Sequence, residues 1–140
     1  MVSGRRRRAG RALGPGCVLV LALAGCGGAG EREADASAAA AAFEKALAGG
    51  DRAAQCSALA PQTRAEVEDS EEETCVDAVG AQDLPAGGPV SGVDVYGRQA
   101  RVVLASDTLF LAQFPGGWKI VAAGCRPRPG QPYQCSVKGG

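Results

Sequence analysis

The sequence contains no histidine, and only 4% of its 140 residues are aromatic. Histidine is the commonest general acid or base and a frequent metal ligand, so catalysis and metal binding that depend on an imidazole are excluded. Isoleucine occurs once, at Ile120, and large apolar side chains are sparse after residue 36. Many buried positions must therefore be alanine, and a small alanine-rich core provides little stability without crosslinks.

A long hydrophobic run is also missing. The most apolar stretch, residues 17–24, is far shorter than the ~20 residues that a transmembrane helix needs. Several arginines precede this stretch, and no acidic residue occurs before Glu31. A basic start, a short apolar stretch and small residues after it are typical of a secretory signal peptide, so we expect residues 1–25 to be removed.

The apolar stretch ends in Leu23, Ala24, Gly25 and Cys26. A large aliphatic residue, two small residues and a cysteine resemble the lipobox of bacterial lipoproteins. The resemblance implies that the Cys26 thiol receives a diacylglyceryl group, that cleavage occurs before Cys26, and that the protein is anchored at the outer face of the cytoplasmic membrane. Two acyl chains hold a domain stably on a membrane, whereas one chain is marginal. The alternative is a secreted cysteine that later pairs with another thiol.

The body of the chain has no excess of basic charge. Removal of residues 1–25 leaves ten basic and fifteen acidic residues, a net charge of −5. Nucleic-acid binding requires a basic footprint, so we expect no nucleic-acid partner. Residues 26–36 are small or polar after Cys26 and are expected to form a flexible tether between the lipid and a domain at residues 37–140.

Four cysteines remain in that domain, and an even number in an exported protein predicts disulfides. They are Cys56, Cys75, Cys125 and Cys135. Local pairing, Cys56 with Cys75 and Cys125 with Cys135, is favoured over the two other connectivities. A four-cysteine zinc site is disfavoured because zinc sites usually have cysteine pairs a few residues apart, and a C-x-x-C redox motif does not occur.

The order of predicted elements is helices first and strands after. Helix formers fill residues 37–48, with Ser37 as a cap and two glycines as a stop; Asp51 and Pro61 are placed to begin two more helices. Ser70 begins a capping box, S-x-x-E, that is expected to open a fourth helix. From residue 90 the apolar period becomes two, which predicts four strands joined by tight turns, followed by a proline-rich excursion and a short last strand through Val137. The strands are expected at residues 89–97, 98–106, 107–114 and 117–125.

The stretches "AFEKALAGGD" and "GGWKIVAAGC", with the strands between them, resemble the NTF2-like superfamily, in particular small actinobacterial-type lipoproteins and secreted proteins. This resemblance implies an α+β domain in which N-terminal helices pack on a curved antiparallel sheet to form a cone. In NTF2-like enzymes such as ketosteroid isomerases and polyketide cyclases, the cone pocket holds an acid–base pair. One fold hosts many functions, so the resemblance by itself assigns no activity.

The candidates for acid–base chemistry are Asp94, Tyr96 and Asp107. Asp94 alternates with apolar residues and is predicted to face solvent, while Tyr96 and Asp107 fall at strand ends or turns. Trp118 is expected to anchor the core, and the acidic run at residues 69–77 to be a solvated helix start. We therefore assign no catalytic residue, cofactor-binding residue or metal ligand.

Two arginines of the proline-rich excursion, Arg126 and Arg128, are expected to be exposed and to be weak contacts for anionic lipid or cell-wall polymer. The sequence thus favours a lipid-anchored, extracytoplasmic, non-enzymatic protein that binds a small molecule or an envelope protein, or that has a structural role. The alternative is an NTF2-like enzyme of isomerase or cyclase type that acts on a small apolar molecule.

Overall fold

The computed structural model describes residues 27–139, in which four helices precede an open antiparallel sheet. This arrangement confirms the α+β class. The predicted signal peptide and the predicted lipidation site, Cys26, lie outside the described residues. The helices are α1 (Gly27–Gly49), α2 (Arg52–Ala58), α3 (Pro61–Glu71) and α4 (Cys75–Ala81). The strands are β1 (Val90–Tyr96), β2 (Gln99–Leu104), β3 (Thr108–Phe114), β4 (Gly117–Arg128), β5 (Gln131–Gln134) and β6 (Val137–Lys138).

The first helix begins earlier than the sequence predicts. We expected a flexible tether up to residue 36 and a helix from Ser37, but α1 is helical from Gly27 and Ala36 is fully buried. Glu31, Arg32, Glu33 and Ala34 are strong helix formers and continue the packed part of the helix towards its start, although residues 28–31 and 33–35 are exposed. The residues next to Cys26 are therefore part of a helix and not a flexible connection.

The next two helix starts agree with the sequence. The side chain of Asp51 accepts a hydrogen bond from Ala54 N at 3.0 Å and caps α2, and Pro61 lies in the first turn of α3. The predicted capping box at Ser70 was wrong: Ser70 belongs to α3 and donates to Val67 O. Helix α3 ends at Glu71 and is followed by the cap residue Glu72, whose φ of 55° is left-handed, and α4 begins after Thr74.

Strands β1 to β4 form a meander in which each strand pairs with the next. Because successive strands alternate in direction, the β1–β2 and β3–β4 turns, at residues 97–98 and 115–116, lie at one end of the sheet, here called the hairpin end. The β2–β3 connection at residues 105–107 lies at the opposite end with residues 82–89, which join α4 to β1; this is called the loop end.

Helix α1 runs from the hairpin end to the loop end. The guanidinium carbon of Arg32 lies 6.0 Å from the ring centre of Trp118, near the start of β4. Three turns later, Glu44 accepts a hydrogen bond from Gly87 N in the α4–β1 connection. The start of α1 and the two hairpin turns are therefore on the same side of the domain.

The proline-rich excursion is not a loop. Strand β4 continues to Arg128 and turns at Gly130, whose φ is 66°, into β5, so the segment forms a hairpin. The β3–β4 turn is not a type II turn, the type that a Pro-Gly pair favours, because a type II turn needs a positive φ at Gly116. The positive φ, 110°, occurs instead at Gly117, one residue later. The β4–β5 hairpin tolerates its prolines because it lies at the edge of the sheet, where a missing N–H donor disrupts no central strand pairing.

The core lies between the helices and one face of the sheet. Alternate residues of β2 and β3 point into it, and Trp118 and Ile120 of β4 join them. Trp118 is 8% exposed, which confirms it as a core anchor. The largest fully buried apolar side chains are those of Phe43, Val102, Leu109, Leu111 and Ile120.

Two disulfides crosslink this domain, and they are the local pairs that the spacing favours. Cys56–Cys75 joins α2 to α4, and Cys125–Cys135 joins β4 to the residue after β5. Cys56, Cys75 and Cys125 are buried. The first bridge therefore ties helices together, and the second fixes the base of the β4–β5 hairpin against the sheet.

Candidate functional site

The most unusual side chain of the domain is a buried carboxylate, Glu44 on α1, which is 7% exposed. Its Oε2 accepts a hydrogen bond from Gly87 N at 2.6 Å. Its Oε1 is also buried and has no hydrogen-bond partner within residues 27–139. A buried polar atom without a partner is costly, so this position is a candidate for a functional role.

The surroundings of Glu44 disfavour its charged form. Burial raises the pKa of Glu44 above its ordinary value of 4.5, the nearby backbone N–H groups of Gly87 and Gly88 oppose the rise, and the negative charge of Asp107 adds to it. Desolvation is the largest of these causes. A carboxyl group with a raised pKa is a chemically plausible proton donor or acceptor.

Gly87 is held from two sides. Its N–H donates to Glu44, and its carbonyl accepts from Ser106 N at 2.9 Å and from Ser106 Oγ at 3.2 Å. Asp107 organises the neighbouring backbone, because Oδ1 accepts from Thr108 N and Oδ2 from Gly124 N. The carboxylates of Glu44 and Asp107 thus form a hydrogen-bond network at the loop end that fixes the α4–β1 connection.

A cleft of about 60 Å³ lies beside this network, lined in part by Leu84, Gly87, Asp107 and Arg126. A wider, shallow groove of about 290 Å³ runs between α1 and α2. The cleft is far below the range of roughly 300–1,000 Å³ that is typical of sites for drug-sized ligands, and the groove lies at the lower edge of that range and is open to solvent. The cleft has room for a few water molecules, and the space between helices and sheet is filled by side chains.

The face of the sheet away from the helices carries a second cluster. Arg101 donates from Nη2 and Nε to Asp94 Oδ2, at 2.6 and 3.0 Å, across β1 and β2. This hydrogen bond raises the pKa of Arg101, with a further contribution from Tyr133. Phe110 meets Tyr133 edge to face, with ring centres 5.1 Å apart. The β4–β5 hairpin thus partly covers this outer face.

The three acid–base candidates from the sequence are not brought together. Asp94 is half-exposed in its ion pair on the outer face, Tyr96 is 65% exposed at the hairpin end, and Asp107 lies at the loop end. Only Asp107 is close to another carboxyl group, that of Glu44. Sequence reasoning missed Glu44, although this residue shares with Ala36, Ala40 and Leu47 the spacing of the helix face that packs inward.

The remaining charged candidates are exposed. Glu71, Glu72 and Glu73 of the acidic run lie around the turn between α3 and α4 and are exposed to solvent, but this turn is not the helix start that we expected. Arg126 and Arg128 are exposed on the β4–β5 hairpin. Within residues 27–139, no group of three or more acidic or cysteine side chains is arranged to hold a metal ion.

Comparison with known proteins does not assign a family, since no protein-family model, no curated protein and no solved structure matches this chain. Among the described helices, none is both long and apolar enough to cross a membrane.

Proposed function

We propose that this protein is an extracytoplasmic lipoprotein, anchored through a diacylglyceryl group on Cys26. Its folded part is an NTF2-like α+β domain that binds a small molecule or an envelope protein and does not catalyse a reaction. The protein is then held at the outer face of the cytoplasmic membrane, where the oxidising environment permits its disulfides.

The pairing of the cysteines is the observation that carries this proposal. Cys56, Cys75, Cys125 and Cys135 pair with one another, so none of them is a partner for the thiol of Cys26. A cysteine that lies directly after an apolar stretch and two small residues then needs a different role. Acylation supplies that role and requires no further residue of the domain.

The filled interior supports a binding or accessory role over catalysis. Phe43, Leu111 and Trp118 occupy the space between α1 and the sheet in which an NTF2-like enzyme has its pocket. The one carboxylate buried there, Glu44, is engaged by Gly87 N. The outer face of the sheet, with Arg101, Phe110 and Tyr133 of the hairpin that partly covers it, is better suited to contact a partner, because aromatic and arginine side chains are enriched in interfaces.

One observation favours the competing function, an isomerase or cyclase acting on a small apolar molecule. Glu44 has a raised pKa and an unpartnered oxygen, as expected of a general base in an apolar site. Turnover of an enolisable ketone that is lost in Glu44→Gln, with the fold retained, would favour this function. Unchanged turnover in Glu44→Gln, Asp94→Asn and Asp107→Asn would exclude these carboxylates from it.

The anchoring is tested by the intact mass of protein extracted from bacterial membranes, with and without reductant. We expect a chain that begins at Cys26, carries a diacylglyceryl adduct, and gains the mass of two hydrogens for each of two disulfides on reduction. The matched control is Cys26→Ser, which is expected to lack the adduct and to keep both disulfides. A wild-type chain cleaved elsewhere and recovered from the medium would contradict the proposal.

A further inference from the structure

The start of α1 and the β3–β4 turn extend about equally far beyond the Arg32–Trp118 contact at the hairpin end. From the contact between Arg32 and Trp118, α1 continues five residues back to Gly27, a length of about 8 Å at ~1.5 Å per residue. From the same contact, β4 leads back within a few residues to the exposed tip at Pro115 and Gly116, a comparable length at ~3.3 Å per residue. Cys26 directly precedes Gly27 in the sequence.

We infer that the hairpin end of the domain lies against an anionic membrane surface, with the β4–β5 hairpin directed away from the lipid. The inference rests on the proposed acylation of Cys26. The acylated residue would be joined directly to α1, and α1 packs against the sheet from Ala36 onward. The domain therefore has little freedom to turn relative to the lipid. The described residues offer no flexible segment between Gly27 and the buried Ala36.

The side chains at the hairpin end suit a lipid headgroup region. Tyr96 is 65% exposed, Arg98 is exposed beside it, and Phe114 is half-buried at the base of the second turn. Tyrosine and arginine place an apolar body at the membrane and a polar tip in water. The two turns carry no acidic residue; the acidic side chains nearest in sequence to the anchor are Glu31 and Glu33, which flank Arg32 on α1.

Hydrogen bonds between Arg98 and Gln113 hold the two hairpin turns together as one surface. Arg98 donates to Gln113 O from Nη2 at 2.8 Å and from Nε at 3.3 Å, and Gln113 N donates to Arg98 O. The backbones of both hairpins are therefore held together just behind their tips. A membrane contact made by one turn brings the other turn to the lipid as well.

The opposite end is too far away to share this contact. Strand β4 has 12 residues, which correspond to roughly 40 Å at ~3.3 Å per residue. The attraction of a charged membrane surface falls off within a Debye length of about 8 Å at physiological salt. Arg126 and Arg128, near the far end of β4, therefore remain in solution when the hairpin end touches the lipid.

The test uses the full chain, processed in bacteria, extracted in detergent and reconstituted into vesicles of phosphatidylethanolamine and phosphatidylglycerol. Trp118 is the only tryptophan in the sequence, so energy transfer from it to a dansyl-labelled lipid headgroup reports on the hairpin end. The comparison is a chain with Trp118→Phe and Gln131→Trp, whose reporter lies at the exposed turn end of the β4–β5 hairpin. We expect strong transfer from Trp118 and clearly weaker transfer from the second reporter.

Two surface variants keep Trp118 as reporter and do not disturb the core. Arg98→Glu is expected to reduce transfer in phosphatidylglycerol vesicles, whereas Arg128→Glu leaves it unchanged. The two are matched, since Arg98 and Arg128 are both exposed on hairpins and both donate to a backbone carbonyl, of Gln113 and of Pro132.

The intact mass of each preparation separates the two proposals. A lipidated chain with equal transfer from both reporters, or equal effects of Arg98→Glu and Arg128→Glu, would overturn the orientation and leave the anchoring intact. A chain without lipid on Cys26 would overturn the anchoring and, with it, the orientation.

Discussion

At the residue scale, Glu44 shows how packing gives a side chain a property that its sequence neighbours do not suggest. It lies in an alanine-rich helix in which most charged residues are exposed, yet the inward face of α1 places it against Gly87. Its carboxylate replaces solvent as the acceptor for a buried N–H group. The fold keeps this group although burial disfavours its charge, because without it Gly87 N would lose its acceptor.

Substitution of Glu44 tests the sign of its contribution to stability. The pKa of Glu44 is higher in the folded than in the unfolded protein. Glu44 therefore contributes stability at pH values below 4.5, the ordinary pKa of a glutamate, and this contribution is lost as the pH rises through the folded pKa. In Glu44→Gln we expect the hydrogen bond from Gly87 to remain and this pH dependence to disappear. Urea unfolding of both proteins across acidic to neutral pH measures the difference.

The companion variant for this measurement is Glu44→Ala, which removes the acceptor altogether. It should also lack the pH dependence, but its free energy of unfolding should be lower at every pH by about 1–3 kcal/mol, the cost of an unsatisfied buried donor. Parallel pH profiles for the wild type and Glu44→Gln would show that Glu44 does not titrate as its burial implies.

Gly87 itself provides a second prediction. A Cβ at this position would lie 2.6 Å from Asp107 Cβ and 2.7 Å from Leu104 Cδ1, so Gly87→Ala forces the α4–β1 connection away from the sheet. We expect a loss of about 1–3 kcal/mol in thermal or urea unfolding. Gly116→Ala is the control, since no atom lies within 4 Å of its Cβ, and an equal loss there would contradict the steric explanation.

At the element scale, the sequence predicted what depends on local signals. The meander strands follow from the period of two, and the start of α2 and α3 from Asp51 and Pro61. The start of α1 was misplaced because helix formers at residues 31–34 continue the packed helix through exposed residues. The strand β5 was missed because tertiary pairing with β4 overrides the local preference of its proline-rich sequence. Glu44 was missed for the same reason, since burial of one acidic residue among exposed ones depends on tertiary contacts.

The two disulfides should differ in their contribution according to the loops that they close. Cys56–Cys75 spans 19 residues and joins α2 to α4, whereas Cys125–Cys135 spans 10. In chain-entropy theory, the double variant Cys56→Ala with Cys75→Ala loses about 3 kcal/mol, and the other double variant slightly less.

Urea unfolding of the two double variants, together with the oxidised and the reduced wild type, measures which disulfide contributes more to the free energy of unfolding. Reduction of the wild type should cost more than either double variant. A larger loss for the Cys125–Cys135 variant would show that the β4–β5 hairpin, and not the helical layer, depends most on its crosslink.

At the scale of the whole molecule, the domain has two different ends. The hairpin end carries Tyr96 and Arg98 and the start of α1, and the loop end carries the Glu44 network and the β4–β5 hairpin. The difference between the two ends follows from the direction in which α1 runs along the sheet. It also explains why the exposed Arg126 and Arg128 are poorly placed to assist the proposed anchor at Cys26, whatever their charge.

The proposed rigidity of the anchor leads to the last prediction. Insertion of a short glycine–serine segment between Cys26 and Gly27 should uncouple the domain from the lipid, because the start of α1 would no longer fix the height of the hairpin end. Energy transfer from Trp118 to labelled headgroups should fall, while the urea unfolding midpoint stays unchanged, since the insertion precedes the packed part of α1. The same segment inserted at Gly130, in the β4–β5 turn, is the control and should leave the transfer as in the wild type. If the insertion before Gly27 leaves the transfer unchanged, the hairpin end is held at the lipid by its own contacts, Tyr96 and Arg98 above all, and the direct connection of anchor to helix is not what orients the domain.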